Sequence, residues 1–110
     1  MELNIDGKVI KLSEAGWLED LSEWSVDVAK GIAVNEKVEL TDEHWDIINE
    51  ARDYFLENGS VAEPRVFSKL MKAKYGKERS SQQYIYSLFL YGLIKSAYKI
   101  AGLPRPKGCS

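Results

Sequence analysis

Apolar and polar residues alternate from Leu3 to Lys11 on both sides of Asp6-Gly7. That alternation around a dipeptide suited to a type I′ turn predicts a short β-hairpin. Two strands alone are marginal, so the ribbon is expected to lean on helices. Beyond it the period lengthens. Ser13 to Trp24 reads as a connector with one turn of possible helix, tucking Trp17, Leu18 and Leu21 beneath it. Ser25 suits an N-cap, and Val26, Val28, Ala29, Ile32 and Ala33 form one face of a helix running to about Asn35, with Gly31 as a weak point.

Thr41 followed by Asp42 and Glu43 marks the next helix start, where acids suit the positive end of the helix dipole. That helix is predicted to reach Glu57 and stop at Asn58-Gly59. Trp45, Ile48, Ala51, Arg52 and Phe55 recur at three- and four-residue steps, a buried stripe with one charged member, widened by Ile47, Tyr54 and Leu56. Pro64 fits the first turn of a helix carrying Val66, Phe67, Leu70, Met71 and Tyr75 and ending at Gly76. After a turn over Lys77 to Ser80, a helix capped by Ser80 or Ser81 carries Tyr84, Ile85, Leu88 and Phe89. Gly92 breaks it before Leu93, Ile94, Ala97 and Tyr98. The fold class expected is mainly α: an orthogonal helical bundle with an amino-terminal hairpin, a helix-turn-helix-like pair and a mobile carboxyl-terminal arm. The expected layout is one domain, with the hairpin over 1–12, the bundle over 13–101 and the arm over 102–110.

Composition narrows the classes. At 110 residues with 45% hydrophobic content the chain is long enough for one core and too apolar for disorder. No apolar run approaches a membrane span and no secretory signal opens the sequence, so a cytoplasmic protein is expected. One cysteine rules out an internal disulfide framework, and one cysteine with one histidine makes no ordinary four-ligand zinc site. No metal or cofactor is expected. The net charge of −2 hides an asymmetry: residues 1–63 hold sixteen acids and five bases, residues 64–110 ten bases and one acid.

The chemistry concentrates at the carboxyl end. A helical run reaching Ala101 meets Gly102, which tolerates the left-handed conformation closing a helix. Pro104 and Pro106 then fix extended geometry and hold Cys109 on a semi-rigid arm. Arg105 and Lys107 favour the thiolate. With no base beside it, Cys109 does not suit hydrolysis, whereas persulfide or disulfide exchange needs only an accessible thiolate. A free cysteine on a frayed tail is the plain alternative.

The run Lys99-Ile100-Ala101-Gly102-Leu103-Pro104-Arg105-Pro106-Lys107-Gly108-Cys109, preceded by Leu88-Phe89, Gly92 and Lys95, resembles the carboxyl-terminal signature of the DsrC/TusE family of sulfur-relay proteins. Asp6-Gly7-Lys8, Leu40-Thr41-Asp42-Glu43-His44-Trp45 and Tyr84-Ile85-Tyr86 agree with it, so the resemblance spans nearly the whole chain. It implies that Cys109 carries sulfur as a persulfide, and the nearby Lys95, Lys99, Arg105 and Lys107 are the candidates for stabilising that anion. The implied partners are sulfur-donor and sulfur-acceptor proteins, as in a relay ending in 2-thiouridine on tRNA. DsrC-type members serve dissimilatory sulfite reductase with a second cysteine eleven residues earlier, a position occupied here by Tyr98. This chain therefore resembles the one-cysteine, TusE-like members. Leu90 and Leu93 replace prolines usual in the family, which predicts a more helical lead into the arm, and Ser110 replaces an apolar last residue.

Two other readings stay open. Arg65, Lys69, Lys72, Lys74, Lys77 and Arg79 surround the helix-turn-helix-like pair and suit phosphates or an acidic partner, although the would-be recognition helix, Ser81 to Leu90, carries no cation. A regulatory or nucleic-acid-binding role is one alternative, and partnership with sulfite reductase is another. His44, among Asp42, Glu43 and Asp46, reads as a packed or surface histidine, since no catalytic set accompanies it.

Overall fold

The computed structural model describes residues 1–104. Strands β1 (Glu2–Ile5) and β2 (Lys8–Lys11) pair antiparallel, Leu3 opposite Ile10 and Ile5 opposite Lys8. Asp6 and Gly7 take φ of 52° and 84°, the two left-handed positions of the predicted turn. The hairpin lies on α1 (Val26–Asn35), whose N-cap Ser25 accepts the Val28 N–H. Gly31, a weak point for a helix, is where the hairpin touches. A Cβ there would stand 3.1 Å from Leu3 and 3.5 Å from Ile5. The apolar face of α1 is narrower than predicted, because Val26 is exposed while Val28, Ala29, Ile32 and Ala33 are buried.

Helix α2 (Asp42–Asn58) ends at Gly59 with φ 74°. It buries His44, Ile47, Ile48 and Ala51, and half-buried Trp45, Tyr54 and Phe55 pack at its edge. Leu56, expected to widen the stripe, faces solvent at 70% exposure. His44 is structural. Its Nδ1 lies 3.1 Å from the Thr41 N–H, which can only donate, so the ring proton sits on Nε2 and is donated to the Leu88 carbonyl at 2.7 Å. The imidazole thus caps the start of α2 and the end of another helix 44 residues on.

Helix α3 (Pro64–Tyr75) buries Phe67 and Met71, and a 3₁₀ turn, Lys77–Arg79, joins it to α4 (Gln82–Leu88). Helix α4 is shorter than the sequence suggests. Phe89 turns extended, at φ −120° and ψ 112°, and buries its ring edge-on against His44 at 4.9 Å. Gly92 follows at φ 83°, where a Cβ would collide with the Tyr86 ring at 2.8 Å. Extended Phe89 and Gly92 thus end α4 close to the break expected at Gly92, and the chain turns helical again from Leu93.

A π-helical turn, Leu93–Ala97, runs directly into a last α-helical turn, α5 (Tyr98–Ile100). This is the centre of the molecule: Ser96 through Leu103 are all buried, with α1 on one side and α2 on another. The architecture is mainly α with an amino-terminal hairpin, as expected. Among the described residues no helix is long and apolar enough to cross a membrane.

Candidate functional site

Cys109, Arg105 and Lys107 lie outside the described residues. What the structure does describe is the point from which that segment departs, and it is built with full polar accounting. A helix end leaves its last four carbonyls without intrahelical partners. Here Leu103 N–H donates to Tyr98 O and Gly102 N–H to Lys99 O, both at 3.1 Å, the paired bonds of a Schellman motif with Gly102 at φ 69°. Of the two carbonyls left, Ile100 O accepts from Trp24 Nε1 at 3.0 Å and Ala101 O accepts from Arg52 Nη1 at 2.8 Å. All four are satisfied, two of them by side chains from distant parts of the sequence.

Trp24 and Arg52 act together. The guanidinium sits 3.7 Å above the Trp24 ring centre, a cation–π stack that Arg makes well because its plane is weakly hydrated. Burial pulls the Arg52 pKa below its ordinary value, and the nearby Asp53 charge opposes that. Trp24 in turn lies over Gly102, where a Cβ would fall 2.1 Å from the Trp24 ring. Only glycine fits under the indole. The core therefore extends past the expected boundary at 102: Gly102 and Leu103 are buried, and Pro104 is the first half-exposed residue.

The predicted cations separate. Lys95 is exposed on the π-helical turn. Lys99 is buried, its ammonium 3.2 Å from Glu36 and 5.8 Å from the Trp17 ring centre. Expected from sequence to face an anionic sulfur, Lys99 is already paired with the half-buried Glu36 carboxylate and belongs to the core. Arg79 and Lys74 also leave the predicted basic patch. Arg79 binds Asp46 at 2.9 Å and the Tyr84 hydroxyl at 2.9 Å, and Lys74 binds Glu50 at 2.9 Å.

Tyr98 occupies the position of the second cysteine implied by the resemblance to two-cysteine proteins. It is fully buried, edge-on to Phe67, and its hydroxyl donates to Ala62 O at 2.6 Å. Burial, with a smaller contribution from Tyr54, pushes its pKa well above that of an ordinary phenol. The folded state thus keeps the proton that the unfolded chain gives up near pH 10, and Tyr98 stabilises the fold below that pH and less and less above it. In urea titrations, the stability advantage of the native sequence over Tyr98→Phe should shrink above about pH 10 by up to about 1.4 kcal/mol per pH unit. A constant advantage would mean that the phenol ionises equally in both states.

Trp24 and Arg52 thus form a clasp on the helix end that local sequence does not reveal: Trp24 falls in the expected connector, and the one signal for Arg52 is its charge inside an otherwise apolar stripe.

A family model described as "DsrC like protein" matches residues 4–110, and the chain belongs to that family. Sulfurtransferase TusE of Salmonella typhi is 39% identical over 107 residues, covering 97% of this chain and 98% of that protein. Sulfurtransferase TusE of Escherichia coli is 40% identical over the same length and coverage. The crystal structure of the oxidized gamma-subunit of the dissimilatory sulfite reductase (DsrC) from Archaeoglobus fulgidus matches with a TM-score of 0.89 at 41% identity, covering both chains completely. The NMR structure of Allochromatium vinosum DsrC matches with a TM-score of 0.87 at 42% identity, again over both whole chains.

Proposed function

We propose that this chain is a sulfur carrier in which Cys109 is the carrier thiol. The Cys109 thiolate attacks the outer sulfur of a donor protein's persulfide. A new S–S bond forms as the donor's breaks, the donor leaves as its thiolate, and Cys109 holds the sulfur as a persulfide without net oxidation or reduction. An acceptor then takes the outer sulfur by the reverse logic, and the Cys109 thiolate is restored. Nothing in this exchange needs a self-contained active site. Lys95, Arg105 and Lys107 are the cations assigned to the anionic persulfide, while Lys99 serves Glu36 instead.

The observation that carries this reading is the pairing of one cysteine with a closed core at position 98. Cys109 is the sole cysteine of the sequence, and Tyr98 fills the site where an internal partner thiol would stand. A carrier with one thiol hands its sulfur outward, as in a relay towards tRNA 2-thiouridine. The same observation weighs against a sulfite-reductase cycle that closes an intramolecular disulfide. A DNA-reading role is weakened by α4, seven residues long and without a cation.

Incubation with a persulfide-bearing sulfurtransferase as donor, followed by intact mass measurement, should give a gain of one sulfur atom per chain that Cys109→Ser abolishes. Persistent failure to label, or equal labelling of the serine variant, overturns the proposal.

A further inference from the structure

On the face formed by α3, α4 and the π-helical turn lies a groove of about 1420 Å³. It is larger than the roughly 300–1,000 Å³ that small ligands ordinarily fill. Its walls are mainly of two kinds, aliphatic and cationic, with Glu63 the one acid among the described lining residues. Ile85, Leu90, Leu93 and Ile94 give it an aliphatic floor, and Leu90, Tyr86 and Tyr91 remain 57–59% exposed beside it. Single exposed apolar residues are ordinary, but three together at one groove mark an interaction surface. Around the floor stand Arg65, Lys69, Lys72, Lys77 and Lys95, all exposed. Arg65, Lys69 and Lys72 share one face of α3 by their four- and three-residue spacing. None of the five makes an ion pair among the described residues, whereas the neighbouring Lys74 and Arg79 do.

We propose that this groove docks an acidic segment of a partner protein, its carboxylates on the cationic rim and an apolar side chain on the aliphatic floor. The charge of the rim selects the sign of the partner. The floor selects its class, because Ile85, Leu90, Leu93 and Ile94 hold an apolar side chain well, and the oligothymidine arm of the test decides whether the exposed Tyr86 and Tyr91 rings stack bases instead. The sequence beyond residue 104 adds Arg105 and Lys107, of the same sign as the rim. This inference does not rest on the sulfur chemistry of Cys109, and it stands or falls without it.

The test uses the whole protein and a fluorescein-labelled peptide of about a dozen residues, with glutamates flanking a central leucine–phenylalanine pair, read by anisotropy. At about 50 mM salt the peptide should bind saturably, and at about 300 mM at least fivefold more weakly. The double charge reversal Lys69→Glu/Lys72→Glu should weaken binding by about tenfold or more, and Leu90→Ser by about fivefold. Replacing the peptide's glutamates by glutamines should weaken it by a similar factor. All three substituted residues are exposed, so unchanged circular dichroism separates lost docking from lost folding. Three results overturn the proposal: no saturable binding at low salt, binding indifferent to both variants, or tighter binding of single-stranded oligothymidine than of the peptide. Dimerisation of the native protein that the charge reversal abolishes would also overturn it, giving the groove to a second copy.

Discussion

Gly102→Ala should destabilise the protein by roughly 2–5 kcal/mol, far more than alanine at a glycine of similar backbone geometry elsewhere. Two effects add. A β-carbon in the left-handed conformation costs about 1–2 kcal/mol. At Gly102 that carbon would also lie 2.1 Å from the Trp24 ring, which must then swing away from its bond to Ile100 O and from its stack with Arg52. Gly59 supplies the control. Its φ of 74° is close to the 69° of Gly102, but nothing lies within 4 Å of a Cβ placed there. Gly59→Ala should therefore cost only the conformational part, and the difference in urea midpoints reports the Trp24 contact. With total stabilities of about 5–15 kcal/mol, the Gly102 variant would lose a large share of the whole. Equal costs at the two positions would show that the indole does not hold this helix end.

Tyr98→Cys, which puts a thiol where two-cysteine relatives are expected to have one, should cost roughly 3–5 kcal/mol here. The ring is fully buried against Phe67, and its hydroxyl is the partner of Ala62 O, so the change removes both a large apolar volume and a buried hydrogen bond. Tyr98→Phe keeps the volume and loses only the bond, at about 1–3 kcal/mol. The ordering of the two is the informative result. In the folded cysteine variant the new thiol should also react with a water-soluble thiol reagent no faster than the protein unfolds. A Tyr98→Cys protein as stable as the native one, with a freely reactive second thiol, would mean that position 98 is an arm position in this chain as well.

Much of this arrangement can be read from local spacing, and the part that cannot has a common cause. The hairpin turn at Asp6-Gly7, the caps at Ser25 and Thr41, the stop at Gly59 and the closing glycine at 102 each depend on a few neighbouring residues, and each lies where the sequence predicts. The clasp depends on partners far apart. Trp24 and Ile100 are separated by 76 residues, Arg52 and Ala101 by 49, and Lys99 and Glu36 by 63. No periodicity encodes such a meeting. Periodicity misleads at Val26 and Leu56, which sit on the expected apolar stripes but reach solvent because no element packs over them. It also overreaches at α4, where a helix expected to run through Phe89 stops at Leu88. The carbonyl of Leu88 instead finds its partner in His44, a side chain whose short-range surroundings gave no hint of that contact. Among the candidate site residues, Lys95 and Lys99 looked alike in sequence, and burial alone tells them apart.

The claim that Cys109 carries transferable sulfur is tested most directly by cyanide, which removes sulfane sulfur as thiocyanate and leaves the thiol behind. Loaded with sulfur and freed of its donor, the native protein should release one thiocyanate per chain and return to its unloaded mass, and Cys109→Ser should release none. Sulfur that resists cyanide, or that the serine variant yields in equal amount, would contradict the account.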